Sequence, residues 1–320
     1  MLNNSPYVRR PASVTRVMGT VLAALVPAIG AYVWQFGPAI LGQLLLATLT
    51  ALACEAAMLA ARGKPLRLFL TDLSVVVTAW LIALAFPATA PWWLVVSGTA
   101  IAVVVAKHLY GGLGQNTFNP AMVAYAVMLV AFPALMSQWP SALPDAITSA
   151  TPLDALRTGL REAGASVASV RADGSVFGSL AGRGWEWLAL AYLIGGLLLI
   201  QQRIITWHIP VGFILALAAI SGAFWLADSA RYASPVFHLA AGGSMLGAFF
   251  IFTDPVSAST TPRGKLIYAA AAALLVYLIR AFGAYPDGVA FATLLMNILV
   301  PLIDMKTQPP VFGHKGDNKV

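Results

Sequence analysis

The chain has 320 residues, of which 59% are hydrophobic and only 10% are charged, and its formal net charge is +7. A soluble protein of this length needs far more charge on its surface, so the composition excludes a soluble globular protein and indicates an integral membrane protein. Lys and Arg collect in the cytoplasmic loops of membrane proteins, so the positive charge does not indicate nucleic-acid binding.

Ten apolar segments follow one another along the chain, and a membrane-spanning helix needs about 20 apolar residues. We therefore predict an all-α integral membrane protein with about ten transmembrane helices. The predicted spans are Val17–Phe36, Ile40–Ala61, Leu68–Phe86, Trp92–Leu109, Ala121–Met136, Trp187–Gln202, Ile209–Ala227, Val236–Phe252, Leu266–Phe282 and Val289–Ile303.

The Lys and Arg residues are divided unevenly between alternate loops. With a cytoplasmic N-terminus, thirteen fall on the cytoplasmic side and six on the opposite side, which satisfies the positive-inside rule. We therefore predict that both termini are cytoplasmic. The chain then divides into a five-helix unit over residues 1–137, an outer loop over 138–185 and a second five-helix unit over 186–320.

Two segments that lie five spans apart resemble each other. Pro120–Ala126 opens the fifth predicted span and Pro286–Ala292 opens the tenth, and both contain Pro-x-x-Val-Ala-aromatic-Ala. Upstream of them, His108–Gly111 resembles Arg280–Gly283. An odd number of spans reverses the direction of the second copy, so we predict two inverted five-helix repeats. The alternative is a chance similarity between helices rich in Ala and Val.

Four ionisable residues lie within predicted spans or at their ends, where charge is costly and often functional. They are Glu55, Lys107, His108 and Arg280. The basic side chains could instead reach the interface, and Glu55 could pair with a basic residue of a neighbouring helix. The sequence leaves the structural and the functional interpretation open for each of them.

Two polar segments follow predicted spans. Tyr110–Pro120 is rich in Gly and in side-chain amides, and it is either a tight turn or the lining of a cofactor or ion site. Phe252–Lys265 carries Asp254 among several hydroxyls, which could hold a hard cation, bond a polar ring or cap helix ends.

The chain carries few of the residues that redox centres and enzymes require. It has one cysteine, Cys54, so it cannot hold a four-thiolate iron–sulfur cluster alone. Its four histidines lack zinc-ligand spacing, and we predict no metal site. Neither a Walker loop nor a Gly-x-Ser-x-Gly elbow is present. Redox chemistry would therefore require an organic cofactor or a partner subunit.

One hydroxyl-rich run stands out in the long outer loop. Residues 145–151 read Asp-Ala-Ile-Thr-Ser-Ala-Thr, in a chain that otherwise reads as membrane. The run suggests an attachment site rather than a linker, although loops of small and hydroxyl residues are often inert.

In several stretches the sequence resembles the NqrB/RnfD family, whose members are membrane subunits of the sodium-pumping NADH:quinone reductase and of the Rnf electron-transport complex. The short N-terminal segment favours the RnfD branch. The stretches that carry the resemblance are Lys107–Asn116, Phe118–Met122, Ala150–Asp154, Met245–Phe250, Thr253–Pro255 and Tyr285–Ala292.

The resemblance implies a covalent flavin. Members of the family carry FMN on a threonine through the flavin's phosphate, and an extracytoplasmic flavinyltransferase reads a pattern close to Asp-x-x-Ser/Thr-Gly-Ala-Thr. In this chain Asp145, Thr148, Ala150 and Thr151 match the pattern, and Ser149 stands where glycine is usual. Thr151 is then the acceptor. The resemblance also implies a urea-channel-like fold and a second, non-covalent flavin, riboflavin, whose ligands the sequence does not identify.

Arg157 and Arg161 follow Thr151 by six and ten residues and could stabilise the phosphate or the reduced flavin; the alternative is solvated loop charge. We therefore expect a redox subunit of an ion-translocating ferredoxin:NAD oxidoreductase (Rnf) complex in the bacterial inner membrane. It would relay electrons between partner subunits and would not be active alone. The rival interpretation is an inverted-repeat channel or transporter without a cofactor.

Overall fold

The computed structural model describes residues 13–143, 146–172 and 176–309. Helices contain 69% of the chain, and the two strands in the described part have two residues each, so the protein is all-α as predicted. Five helices are long and apolar enough to cross a membrane, and four shorter apolar helices accompany them. The chain is therefore a multi-pass membrane protein.

The first half of the chain forms two long helices followed by shorter ones. Its elements are α1 (Val14–Phe36), α2 (Ala39–Ala61), α3 (Leu66–Leu70), α4 (Ser74–Ala85), α5 (Trp92–Ala100), the π-helical segment π1 (Ile101–His108), α6 (Pro120–Ala131) and α7 (Pro133–Met136).

The long loop and the second half follow. The loop contains β1 (Trp139–Pro140), β2 (Thr148–Ser149), α8 (Pro152–Gly159) and α9 (Val167–Ala172). The second half contains α10 (Trp185–Gln201), α11 (His208–Ala227), α12 (Pro235–Ala240), α13 (Ser244–Leu246), the π-helical segment π2 (Gly247–Ile251), α14 (Pro262–Phe282) and α15 (Val289–Thr307).

Three spans that the sequence predicts as continuous are interrupted, and those predictions are wrong. The interrupted spans are Leu68–Phe86, Ala121–Met136 and Val236–Phe252. Leu73 separates α3 from α4 with a φ of 65°, and Gly242 separates α12 from α13 with a φ of 62°. Pro133 begins α7 directly after α6, because proline has no N–H to continue the helical hydrogen bonds.

The first and last described residues lie on the same face of the bundle. Near its start, Thr15 donates from Oγ1 to the carbonyl of Thr71 (3.2 Å), and near its end the hydroxyls of Thr307 and Thr261 are 2.5 Å apart. At the opposite face, the last turn of α1 meets the first turn of α10 and the loop 138–185. We call these the terminal face and the loop face.

The third and eighth spans are broken in a similar way. Each consists of a short helix of five or six residues, an interruption of three residues with one at positive φ, and a second helical piece. This similarity agrees with the predicted inverted repeat, which stays a prediction.

Helix α10 packs directly on the backbone of α1. A Cβ on Gly195 would lie 2.0 Å from the carbonyl oxygen of Ala24, so only glycine permits this approach. Near their loop-face ends, the ring centroids of Phe36 and Trp185 are 5.2 Å apart. This packing fixes α10, whose inner surface forms part of the site described next.

Candidate functional site

The loop 138–185 folds its hydroxyl-rich run back onto its own beginning. Strand β1 pairs antiparallel with β2, with Trp139 opposite Ser149 and Pro140 opposite Thr148. Thr148 is exposed and Ala150 is half-buried, while Ile147 before them is 88% exposed. The run therefore lies at the surface, where a modifying enzyme could reach it. Asp145 lies outside the described residues.

Thr151 is the N-cap residue of α8. Its φ and ψ of −68° and 156° are extended, and its Oγ1 accepts a hydrogen bond from the backbone N–H of Asp154 at 3.3 Å. Pro152 follows at the first helical position, where its missing N–H is not needed. Capping alone would explain a threonine here, since hydroxyls are preferred at N-caps. The bond uses the oxygen as acceptor and leaves the O–H itself available.

Thr151 lines a cavity of about 280 Å³ that opens at the loop face and is called the loop-face cavity below. Its volume is near the lower limit for small-molecule sites. The walls come from α4, α6, α10, the Gly242–Gly243 break and the start of α15. Five aromatic residues face the cavity: Tyr125, Trp139, Trp185, Tyr192 and Tyr285. Such a lining suits a flat ring system.

Few polar groups face the loop-face cavity. The Tyr192 hydroxyl is buried and has no hydrogen-bond partner among the described residues. Asp154, Arg157 and Asp287 supply charge. A guanidinium nitrogen of Arg157 donates to the carbonyl of Ala284, which ties α8 to the turn before α15. An apolar pocket with a few convergent polar groups is the usual form of a binding site.

An ion pair holds the broken eighth span in place as one wall of the cavity. Arg280 Nη2 lies 2.9 Å from Asp287 Oδ1, and Arg280 Nη1 donates to the carbonyl of His238 at 2.8 Å. Asp287 Oδ2 accepts the N–H of Gly243 at 2.6 Å. Both ends of the interruption between α12 and α13 therefore have partners, as a helix break at membrane depth requires.

A second cavity of about 370 Å³ opens toward the terminal face and is called the terminal-face cavity. Asn116 and Asn119 of the Gly-rich segment line it, together with Asp254 and Lys107. The expectation that this segment lines a cavity rather than a plain turn is confirmed. Helices α4, α6, α10 and the segment π2 contribute residues to both cavities, so the two lie along the same group of helices.

Asp254 joins three parts of the second half to α6. Its Oδ2 accepts from Ser257 Oγ (2.8 Å) and from Asn119 Nδ2 (3.3 Å). Asn297, in the middle of α15, accepts the N–H of Asn119 (3.0 Å) and donates to the carbonyl of Ser257 (2.9 Å). Helix capping, an alternative for this polar segment, is met by Thr261, which caps α14.

The buried acid of the first half has basic partners. Glu55 lies 2.9 Å from Lys107 Nζ and, through its other oxygen, 2.9 Å from His108 Nε2. Lys107 also donates to Ser74 Oγ at 3.2 Å, just after the break in the third span. The predicted pairing of Glu55 is confirmed. The alternative that Lys107, His108 and Arg280 reach the interface is wrong, because all three are buried.

The structure brings together some of the predicted site residues and adds others. Thr151 and Arg157 line the loop-face cavity; Arg161, which does not, is exposed on the surface. Tyr192 and Asp287 were missed from the sequence. Tyr192 stands in an apolar helix without a motif, whereas Asp287 lies within a stretch that already carried the family resemblance. In the described part of the chain, no cluster of three or more His, Cys, Asp or Glu could hold a metal.

Comparison with known proteins assigns the chain to one group. A model of the NQR2, RnfD, RnfE family matches residues 1–313. Proteins named as the D-type subunit of an ion-translocating oxidoreductase complex, from Salmonella typhimurium, Salmonella typhi and Salmonella choleraesuis, are each 47% identical to it over 345 residues. Each match covers 98% of this chain and 98% of the relative.

Proposed function

The chain belongs to the NQR2, RnfD, RnfE family, and on that premise we propose that it is an electron-carrying membrane subunit with FMN bound covalently to Thr151. Its relatives are named as subunits of an ion-translocating oxidoreductase complex. The complex we propose is the ferredoxin:NAD type, in which this chain relays electrons between partner subunits and has no activity alone.

One observation carries the proposal. Of the three hydroxyl residues in the run 145–151, only Thr151 lines the loop-face cavity. A group attached to Thr151 can therefore enter the cavity, whereas one attached to Thr148 would begin on the exposed surface. The attachment residue suggested by the sequence and the cavity suggested by the fold meet at the same side chain.

The residues around Thr151 suit a phosphate. An N-cap side chain lies beside the free N–H groups of the first helical turn, which favour an anion. Arg157, one and a half turns further along α8, adds a positive charge at the same cavity. The Asp154 carboxylate opposes this, so we assign Arg157 the role of balancing Asp154 near the phosphate.

The cavity walls suit the ring. When bound, an isoalloxazine ring supplies reversible one- and two-electron chemistry. The aromatic side chains of Trp139, Trp185 and Tyr285 offer flat apolar surfaces, and the Tyr192 hydroxyl offers an unused hydrogen bond. A tether on Thr151 keeps the cofactor from diffusing away, so the cavity needs only to orient it.

We place the second, non-covalent flavin in the terminal-face cavity. The cavity is larger than the loop-face cavity and more polar in its named residues, with the amides of Asn116 and Asn119 and the ammonium of Lys107. Riboflavin carries no phosphate, and these neutral and basic donors suit the carbonyl groups of its ring.

The proposal also fixes orientation and partners. The loop face would be extracytoplasmic in the bacterial inner membrane, because the flavinyltransferase works there and the positive-inside rule places the terminal face in the cytoplasm. With one cysteine, the chain cannot hold a four-thiolate cluster alone. We therefore expect other subunits of the complex to deliver and remove the electrons.

The test is flavin fluorescence of the denatured chain after co-expression with a flavinyltransferase. Thr151→Asn keeps a good N-cap side chain but removes the hydroxyl, so it separates attachment from helix capping. We expect a fluorescent band for the wild type and none for Thr151→Asn. Thr158→Ala, at an exposed position of the same helix, is the matched control and should keep full fluorescence. Fluorescence that survives in Thr151→Asn would show that attachment is elsewhere.

A channel without a cofactor is the second candidate. It is favoured by two cavities that open to opposite faces along the same helices. Solute flux through liposomes containing the flavin-free chain would support it, together with a wild-type band that shows no fluorescence.

A further inference from the structure

A third cavity, of about 580 Å³, opens at the loop face beside α8. It lies between α8, the connection from α11 to α12 and the last turn of α14. Four arginines line it and give it the name arginine cavity: Arg157, Arg161, Arg231 and Arg280. Glu162 and Asp228 also line it, so arginines exceed carboxylates by two.

Two of these arginines are free to bind a ligand. The guanidinium of Arg280 is occupied by Asp287 and by the carbonyl of His238. Arg161 and Arg231 are exposed and take part in none of the ion pairs between described residues. Asp228 turns its Oδ1 to the N–H groups of Ala230 and Arg231 (3.1 and 3.2 Å), and not to a guanidinium.

Two buried polar atoms in the same cavity wall have no partner. Tyr277 is 0% exposed and His238 is 7% exposed, and both residues line the arginine cavity. The Tyr277 hydroxyl and His238 Nδ1 make no hydrogen bond within the described residues. Unpaired buried polar atoms are rare in native proteins and point to a missing ligand group. The excess of arginines indicates that this group is an anion.

An apolar stripe leads along α14 into the cavity. Ile267, Leu274, Leu278 and Phe282 are exposed and recur at helical spacing on one side of the helix. Phe282, the last of them, also lines the arginine cavity. The stripe therefore runs from the membrane interior to the positively charged cavity, which is the arrangement that an acyl chain and its headgroup require.

We propose that the arginine cavity binds the headgroup phosphate of an anionic phospholipid from the leaflet at the loop face. Arg161 and Arg231 bind the phosphate oxygens, the Tyr277 hydroxyl supplies a hydrogen bond, and an acyl chain lies along the stripe on α14. The site is separate from the cofactor on Thr151 and does not depend on it.

The experiment measures thermal unfolding of the full-length chain, delipidated in detergent, against increasing dioleoylphosphatidylglycerol, because a ligand of the folded state raises Tm in proportion to its affinity. We expect saturable stabilisation by this lipid and a weaker response to dioleoylphosphatidylcholine. In the Arg161→Gln/Arg231→Gln variant, Kd for phosphatidylglycerol should rise by about tenfold or more, since charge-assisted bonds are lost. Arg183→Gln, an exposed arginine of the same loop outside the cavity, should bind like the wild type.

Tyr277→Phe removes only the unpaired hydroxyl, so it should unfold like the wild type without lipid and bind phosphatidylglycerol more weakly. Unchanged binding in both the double arginine variant and Tyr277→Phe would overturn the site. Stabilisation by inorganic phosphate that is lost in the same variants, without a response to phosphatidylglycerol, would overturn the lipid assignment and identify a soluble phosphate as the ligand. An equal response to phosphatidylcholine would contradict selection for an anionic headgroup.

Discussion

At the scale of single residues, Thr151 has two roles that a threonine can fill. Its oxygen caps α8 at 3.3 Å from the Asp154 N–H, and its hydroxyl group borders the loop-face cavity. A cap alone could be serine, aspartate or asparagine, because all of them accept the same hydrogen bond. The cavity beside it is what makes an attachment role specific to this position.

The unpaired hydroxyl of Tyr192 gives a prediction about the cofactor. Tyr192→Phe removes no hydrogen bond between described residues, so we expect unchanged thermal stability of the flavin-free chain. With the flavin attached, its midpoint potential should shift by the equivalent of about 1 kcal/mol, one hydrogen bond. A redox titration measures this. An identical potential in Tyr192→Phe and wild type would remove Tyr192 from the site.

Glu55 gives a prediction about stability. Glu55→Gln leaves the buried ammonium of Lys107 without its carboxylate, and an uncompensated buried charge costs about 3 to 5 kcal/mol. We expect a large fall in Tm in detergent. The double variant Glu55→Gln/Lys107→Met removes both charges and should recover most of the loss. A single variant as stable as the wild type would show that the pair contributes little.

At the scale of elements, the interrupted spans decide where the cavities form. The break between α12 and α13 exposes backbone groups that Arg280 and Asp287 satisfy, and Gly242 and Gly243 line the loop-face cavity. A continuous eighth helix would instead place side chains in that space. The clamp therefore both permits the break and shapes the cavity wall.

Gly242→Ala tests the break. The glycine has a φ of 62°, and a Cβ there would lie 2.6 Å from Asp287 Oδ2 and from Leu153 Cδ1. The left-handed backbone alone costs an alanine about 1 kcal/mol or more, so we expect a lower Tm and weaker flavin attachment. Gly30→Ala, in α1 with no atom within 4 Å of its Cβ, is the control and should be neutral or stabilising. Equal behaviour of the two variants would contradict the strain at Gly242.

The sequence predicted the elements better than their interruptions. Hydropathy found the spans because a bilayer demands long apolar runs. It missed the break at Leu73, since leucine has no preference for the left-handed conformation that it adopts there. Signals for the other two breaks were present in Gly242-Gly243 and Pro133, but a hydropathy average over about 20 residues conceals them.

At the scale of the whole molecule, chemistry-bearing residues collect at the two cavities on opposite faces. The loop-face cavity unites Thr151 with Tyr192 and Asp287, which are far apart in the chain. Sequence patterns located Thr151 and Arg157, because they lie near one motif. They could not locate Tyr192, because only the packing of α10 on α1 through Gly195 brings it to the cavity.

The central claim is that Thr151 carries a flavin through a phosphate bridge, and peptide mass tests it most directly. The native complex is digested, and the peptide that contains Thr151 is measured and fragmented. We predict a mass larger than that of the bare peptide by FMN less one water, with fragmentation that assigns the addition to Thr151. An unmodified peptide from an active complex, or an addition on another residue, would contradict the account.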